Sequence, residues 1–121
     1  MRVAIVGSRG YSDLNAVIEY VNTLPAGTVV ISGGARGVDL TAENAARSRG
    51  LEVVVHYADW DTLGRSAGHI RNQKIVDDCD KLVAFWDGVS PGTKGTISLA
   101  SKAGKLDKVF REKNPNQGSL F

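Results

Sequence analysis

A series of short, nearly continuous apolar runs constrains this chain more than any other feature. They fall at residues 3–6, stopped by Gly7; at 29–31, stopped by Ser32-Gly33-Gly34; at 51–55; and at 82–86, stopped by Asp87-Gly88. A weaker run covers residues 108–110. Apolar runs without polar alternation suit strands buried on both faces of a parallel sheet. The segments between them read as helices. Leu14, Val17, Ile18, Val21 and Leu24 share one helical face, with Ser12 or Asp13 as N-cap. Residues 38–49 are Ala-rich and stop at Gly50, residues 67–78 carry Ile70, Ile75 and Val76, and residues 96–103 close at Gly104. Strand and helix alternate throughout. That order predicts an α/β fold: a Rossmann-like, doubly wound parallel sheet of about five strands in a single domain. The domain is expected over residues 1–110, with residues 111–121 as a polar, flexible C-terminal tail.

Composition narrows the class. At 121 residues, 42% hydrophobic and 23% charged, the chain can bury one core and is not expected to be disordered. A net charge of +2 is too small to announce a nucleic-acid binder, because placement of charge matters more than its sum. The lone Cys79 excludes an internal disulfide and has no Cys or His at ligand spacing, so no metal site is expected. No apolar run approaches bilayer length and residues 1–6 do not resemble a signal peptide. A cytoplasmic setting without membrane contact is expected.

In doubly wound sheets, ligands bind beyond the carboxyl ends of the strands. The unusual residues cluster there. Gly7-Ser8-Arg9-Gly10 follows the first strand and Ser32-Gly33-Gly34-Ala35-Arg36-Gly37-Val38-Asp39 the second. A stretch from Gly88 through Pro91, Gly92, Thr93, Lys94, Gly95 and Thr96 follows the fourth. Each combines glycines, hydroxyls and a cation, and each leads to a helix start. Glycines admit an anion to backbone amides, and helix N-termini favour phosphate. Neither the G-x-G-x-x-G fingerprint nor the G-x-x-x-x-G-K-[ST] loop is present, which disfavours an ordinary NAD enzyme or P-loop NTPase.

Other residues carry two readings each. Arg71 and Asn72 either reach phosphate along the sheet edge or belong to a solvated helix face. Asp59-Trp60-Asp61 either closes over a base and sugar or forms a turn with a packing Trp. His56 and His69 lack a nucleophile partner and read as structural or surface residues, and Trp86 reads as core.

Five motifs resemble one known group in order. They are Gly7-Ser8-Arg9, Ser32-Gly33-Gly34-Ala35-Arg36-Gly37-Val38-Asp39, Ala58-Asp59-Trp60, Ala67-Gly68-His69-Ile70-Arg71-Asn72 and Ala84-Phe85-Trp86-Asp87-Gly88-Val89-Ser90-Pro91-Gly92-Thr93. Together they resemble the YspA, cpYpsA-related branch of the SLOG superfamily. The resemblance implies a Rossmann-like fold that senses or processes nucleotide-derived ligands. Relatives implied are DNA-processing protein A, which binds single-stranded DNA, and the lonely-guy phosphoribohydrolases. It points to Arg36 as a phosphate contact. The phosphoribohydrolase pattern P-G-G-x-G-T-x-x-E is broken here, since its Glu falls on Leu99 or Ile97 according to alignment. Asp39 and Asp59 remain as catalytic candidates, and binding is favoured over catalysis.

The principal expectation is therefore binding, sensing or sequestering of a nucleotide-derived phosphate ligand. Its contacts would come from Gly7, Ser8, Arg9, Gly33, Gly34, Ala35, Arg36, Gly37, Asp39, Arg71, Asn72, Gly92, Thr93, Gly95 and Thr96, with Asp59, Trp60 and Asp87 against base or sugar. No cofactor is required, though a phosphate could bring Mg2+. One alternative is a hydrolase of N-glycosidic or phosphate bonds. Another is a DNA-metabolism accessory protein that binds single-stranded DNA, with Arg36, Arg47, Arg49, Lys102, Lys105 and Lys108 as a basic track. The last residues, Gln117-Gly118-Ser119-Leu120-Phe121, resemble the peptide by which bacterial polymerases dock on the sliding clamp. Gln117, Leu120 and Phe121 would be the docking contacts. The resemblance also implies homo-oligomers.

Overall fold

The computed structural model describes residues 1–112. Five strands form one parallel sheet: β1 (Arg2–Gly7), β2 (Val29–Ser32), β3 (Glu52–Val55), β4 (Lys81–Trp86) and β5 (Leu106–Arg111), in the order β3-β2-β1-β4-β5. The connections are helices: α1 (Leu14–Asn22), α2 (Val38–Ser48), a single turn α3 (Trp60–Leu63), α4 (Ala67–Asp78) and α5 (Pro91–Lys102). The expected doubly wound α/β fold is present. Side chains of alternate strand positions divide the core in two. Val3, Ile5, Val30, Val83 and Phe85 pack against α1 and α2. Ala4, Val6, Ile31, Leu82 and Ala84 pack with Ile75 and Val76 of α4 and Ala100 of α5. Both faces are covered, which explains why the central strands read as unbroken apolar runs.

Local chemistry sets the element ends. The Asp13 carboxylate accepts from the Ala16 amide at 3.2 Å and starts α1. Gly7 ends β1 directly against α2, where an added Cβ would lie 2.5 Å from Val38 Cγ2. That glycine lets the second crossover helix touch the first strand.

Two boundaries differ from the sequence reading. α5 starts at Pro91, several residues before the expected position 96. Gly92, Thr93, Gly95 and Thr96 therefore lie in its first turns, not in a loop. Glycine and threonine weaken a helix, but Pro91 at the first position and Ser90 at the N-cap mark a start. β5 is also longer than residues 108–110 and includes Arg111. Its Phe110 stacks on Phe85 with centroids 4.7 Å apart and planes 9° apart, and the Arg111 guanidinium lies 5.3 Å from the Trp86 ring centroid. The Glu112 amide donates to the Trp86 carbonyl at 3.0 Å. Arg111 and Glu112, expected in the tail, thus belong to the folded body. Gln117, Leu120 and Phe121 lie outside the described residues. Among the described residues no helix is long and apolar enough to cross a membrane.

Candidate functional site

The strand order reverses at β1, between β2 and β4. A cleft of about 560 Å³ opens there, at the carboxyl ends of the strands. The topology dictates this: crossovers leave β1 toward one face and β4 toward the other, so their turns part. The turn after β1 supplies Gly7, Ser8, Arg9 and Gly10, and the start of α5 supplies Ser90, Pro91, Gly92, Thr93, Gly95 and Thr96. Ala35 and Asp39 come from the β2–α2 segment, Trp60 from α3, and Gly68, His69, Arg71, Asn72 and Ile75 from α4.

Two turns are locked together at its floor. The buried Ser8 hydroxyl donates to Thr93 Oγ1 at 3.2 Å and accepts from the Asp87 amide at 3.1 Å. The Asp87 carboxylate accepts from the Val89 and Ser90 amides at 2.9 and 2.8 Å and from the Ser90 hydroxyl at 2.7 Å. These bonds, the Ser90 hydroxyl first, hold its pKa down to about 2. Asp87 therefore shapes the start of α5 and does not line the cleft, contrary to its expected place against base or sugar.

Among the described residues, the backbone amides of Arg9, Gly10, Gly92 and Thr93 have no hydrogen-bond partner. All four residues line the cleft. Gly92 and Thr93 stand in the open first turn of α5, where amides and helix dipole favour an anion.

Positive charge faces the same space. Arg71 Nη1 donates to the Gly33 carbonyl at 2.6 Å and its Nε to Asn72 Oδ1 at 2.8 Å. Burial lowers the Arg71 pKa; nearby Asp39 opposes this and the like charge of Arg9 adds to it. Arg9 is exposed and makes no ion pair among the described residues. Two guanidiniums that repel each other across a cleft with open amides create a demand for an anion.

Asp39 lies beneath them, 4% exposed. Its Oδ2 accepts from the Ala35 amide at 3.2 Å, while Oδ1 is buried without a partner. Burial raises its pKa to about 6, against the Ala35 bond and the Arg71 charge, with Glu43 raising it further. With Oδ1 shut off from solvent, the carboxylate is poorly placed to meet a substrate. Asp59 is the N-cap of α3, its Oδ1 accepting from the Thr62 amide at 3.2 Å. The structure therefore does not bring both catalytic candidates to one reaction centre.

Of the expected contacts, Gly7, Ser8, Arg9, Ala35, Asp39, Trp60, Arg71, Asn72, Gly92, Thr93, Gly95 and Thr96 meet at the cleft. Gly33, Gly34 and Gly37 shape the β2–α2 backbone beside it, with Gly37 at φ +79° against the Arg9 carbonyl. Arg36 is exposed outside the lining. The basic track is partly taken up elsewhere: Arg49 donates to the Val21 and Leu24 carbonyls at 2.6 and 2.8 Å, and Lys105 to the Val76 carbonyl at 2.8 Å. These cations finish helices α1 and α4. His69, read from sequence as a structural or surface residue, lines the cleft, as do Gly10 and Gly68, which stood in the quoted motifs but not among the expected contacts; the helical spacing of His69 from Asn72 carried that signal. Among the described residues no three metal-ligating side chains gather.

The model for the YspA, cpYpsA-related SLOG family matches residues 1–62. The Gene 61 protein of Mycobacterium phage D29 is 39% identical over 113 residues, spanning 85% of this chain and 90% of that one. DNA processing protein A from Streptococcus pneumoniae superposes with a TM-score of 0.78 at 22% identity over 97% of this chain. This chain spans about half of that protein, 52% of its length. DNA processing protein A from Helicobacter pylori, described for its single-stranded DNA binding mode, superposes with a TM-score of 0.72 at 20% identity. That match covers 99% of this chain and 71% of the other.

Proposed function

Because this chain belongs to the YspA, cpYpsA-related SLOG family, we propose that it binds single-stranded DNA and seats a backbone phosphate in the β1/β4 cleft. One observation carries the reading. Unpartnered amides at Arg9, Gly10, Gly92 and Thr93 line the same cleft as the mutually repelling Arg9 and Arg71. Such a site is built for a phosphate oxyanion. Trp60, 53% exposed on the cleft wall, offers a face on which a base stacks. The Helicobacter protein of the same fold is described as binding single-stranded DNA, which supports choosing a polynucleotide.

A free nucleotide or nucleotide derivative, sensed or sequestered, is the second reading. The cleft volume of about 560 Å³ favours it, because that space accommodates one such unit. A phosphate so held would bring any Mg2+ with it. The closed-off Asp39 and the capping role of Asp59 support a binding function rather than bond cleavage.

Fluorescence anisotropy with labelled oligothymidylate across a salt series decides between them. The DNA reading expects affinity that falls with rising salt, with a slope shallower by about 0.7 in Arg9→Ala. Tight binding of a mononucleotide with none of the oligomer would shift the function to the second reading.

Two partner assignments stand apart from the cleft. The C-terminal tail, through Gln117, Leu120 and Phe121, docks on a bacterial sliding clamp; surface plasmon resonance on the clamp should lose the signal in Phe121→Ala. The chain self-associates, which sedimentation equilibrium reads directly. Both fit a cytoplasmic DNA-associated protein.

A further inference from the structure

Tyr57 is the most exposed aromatic among the large exposed hydrophobic residues described, at 72%. It follows the edge strand β3. Its ring rests on Gly34: a Cβ there would lie 2.6 Å from Tyr57 Cε1 and 2.7 Å from Cδ1. Gly34 holds φ +72°, a conformation that disfavours side chains, so the backbone offers the ring a bare seat. Among the described residues the Tyr57 hydroxyl has no hydrogen-bond partner. A tyrosine with a structural task buries its ring or bonds its hydroxyl. Tyr57 does neither.

Its surroundings name the partner. Ala35, next to Gly34, lines the cleft, and Arg36 beyond it is exposed without an ion pair among the described residues. Trp60 follows Tyr57 by three residues, so their Cα atoms are within about 11 Å. A flat exposed ring seated on Gly34, two residues before an exposed Arg36, on the segment that also lines an anion-seeking cleft, has the composition of a single-strand track.

We propose that Tyr57 is a second stacking platform, which holds a base of single-stranded DNA next to the nucleotide seated in the cleft, with Arg36 on the adjoining phosphate. This rests on the DNA reading above and adds to it a direction for the strand: across the β2–α2 backbone toward β3.

The test compares wild type, Tyr57→Ala and Tyr57→Phe on a short oligothymidylate, on an abasic strand with the same number of phosphates, and on thymidine monophosphate. Tyr57→Ala should weaken oligothymidylate binding about tenfold, while Tyr57→Phe keeps it. Neither change should alter binding of the abasic strand or the mononucleotide, nor the thermal midpoint. Gly34→Ala, which displaces the ring while keeping it, should weaken oligothymidylate binding as well. Normal wild-type binding with an indifferent Tyr57→Ala, or an equal loss on the abasic strand, would overturn this inference and leave the function intact. A wild-type protein that binds no single strand would overturn both.

Discussion

Ser8 and Thr93, 85 positions apart in sequence, share a buried hydrogen bond of 3.2 Å at the floor of the cleft. Through it the turn after β1 and the start of α5 act as one unit. Ser8→Ala leaves the Asp87 amide and the Thr93 hydroxyl without their partner. It should cost about 1–3 kcal/mol of stability, read by urea denaturation, and weaken ligand binding beyond that measured by Thr93→Val alone.

Arg9 and Arg36 separate the cleft from its approach. Arg9 lines the cleft and Arg36 does not. Arg9→Ala should abolish most binding of a mononucleotide while Arg36→Ala leaves it near wild type; with oligothymidylate both should weaken binding and both should reduce the salt dependence. Isothermal titration at two salt concentrations checks this, and equal loss of mononucleotide affinity in the two variants would contradict the placement of Arg36.

Gly7 is the point at which β1 touches α2. A methyl group there meets Val38 at 2.5 Å. Gly7→Ala should destabilise the protein by about 1–3 kcal/mol through overpacking, and Val38→Ala in the same chain should restore part of the loss. Thermal melts of the single and double variants provide the measurement.

Asp39 gives stability a pH dependence of unusual sign. Its pKa is about 6 in the folded protein against 3.8 ordinarily. The folded state therefore holds the proton more tightly than the unfolded chain. The contribution is fully present below about pH 4 and is lost as pH rises through 6, a change of up to about 3 kcal/mol. The stability difference between wild type and Asp39→Asn should move in the variant's favour between those pH values and flatten above. A difference that stays constant from pH 4 to 7 would show that Asp39 is not held protonated.

Much of this arrangement was legible in the sequence, and the failures have physical causes. The apolar runs of β1, β2 and β4 stood out because alternate residues of each strand enter the two core clusters, and α4 because Ile75 and Val76 pack one of its faces on the sheet. The start of α5 was obscured because Gly92 and Gly95 have low helix propensity; tertiary anchoring through Ser8, Thr93 and Asp87 overrides it. β5 is an edge strand with Lys108 and Val109 exposed, so it lacks the unbroken apolar run of its neighbours. The grouping of Ser8, Arg9 and Thr93 followed from their common place at strand ends and helix starts, whereas Arg71, inside α4, stood open to two readings. Which of them keeps a free hand did not. Asp59 and Asp87 look like ligand contacts in sequence, and only the geometry shows Oδ1 of each accepting from local amides and Asp87 Oδ2 accepting from the Ser90 hydroxyl. Tyr57 carried no pattern at all, because its place depends on a ring resting on Gly34, which is distant in sequence.

The bonds from Asp87 to Val89 and Ser90 have a kinetic meaning. They set the first turn of α5 in its final shape before any visitor arrives. The proposed anion meets a rigid socket, not a loop that must gather itself. Capture is then governed by diffusion and long-range attraction, and discrimination among visitors falls to how long each one stays.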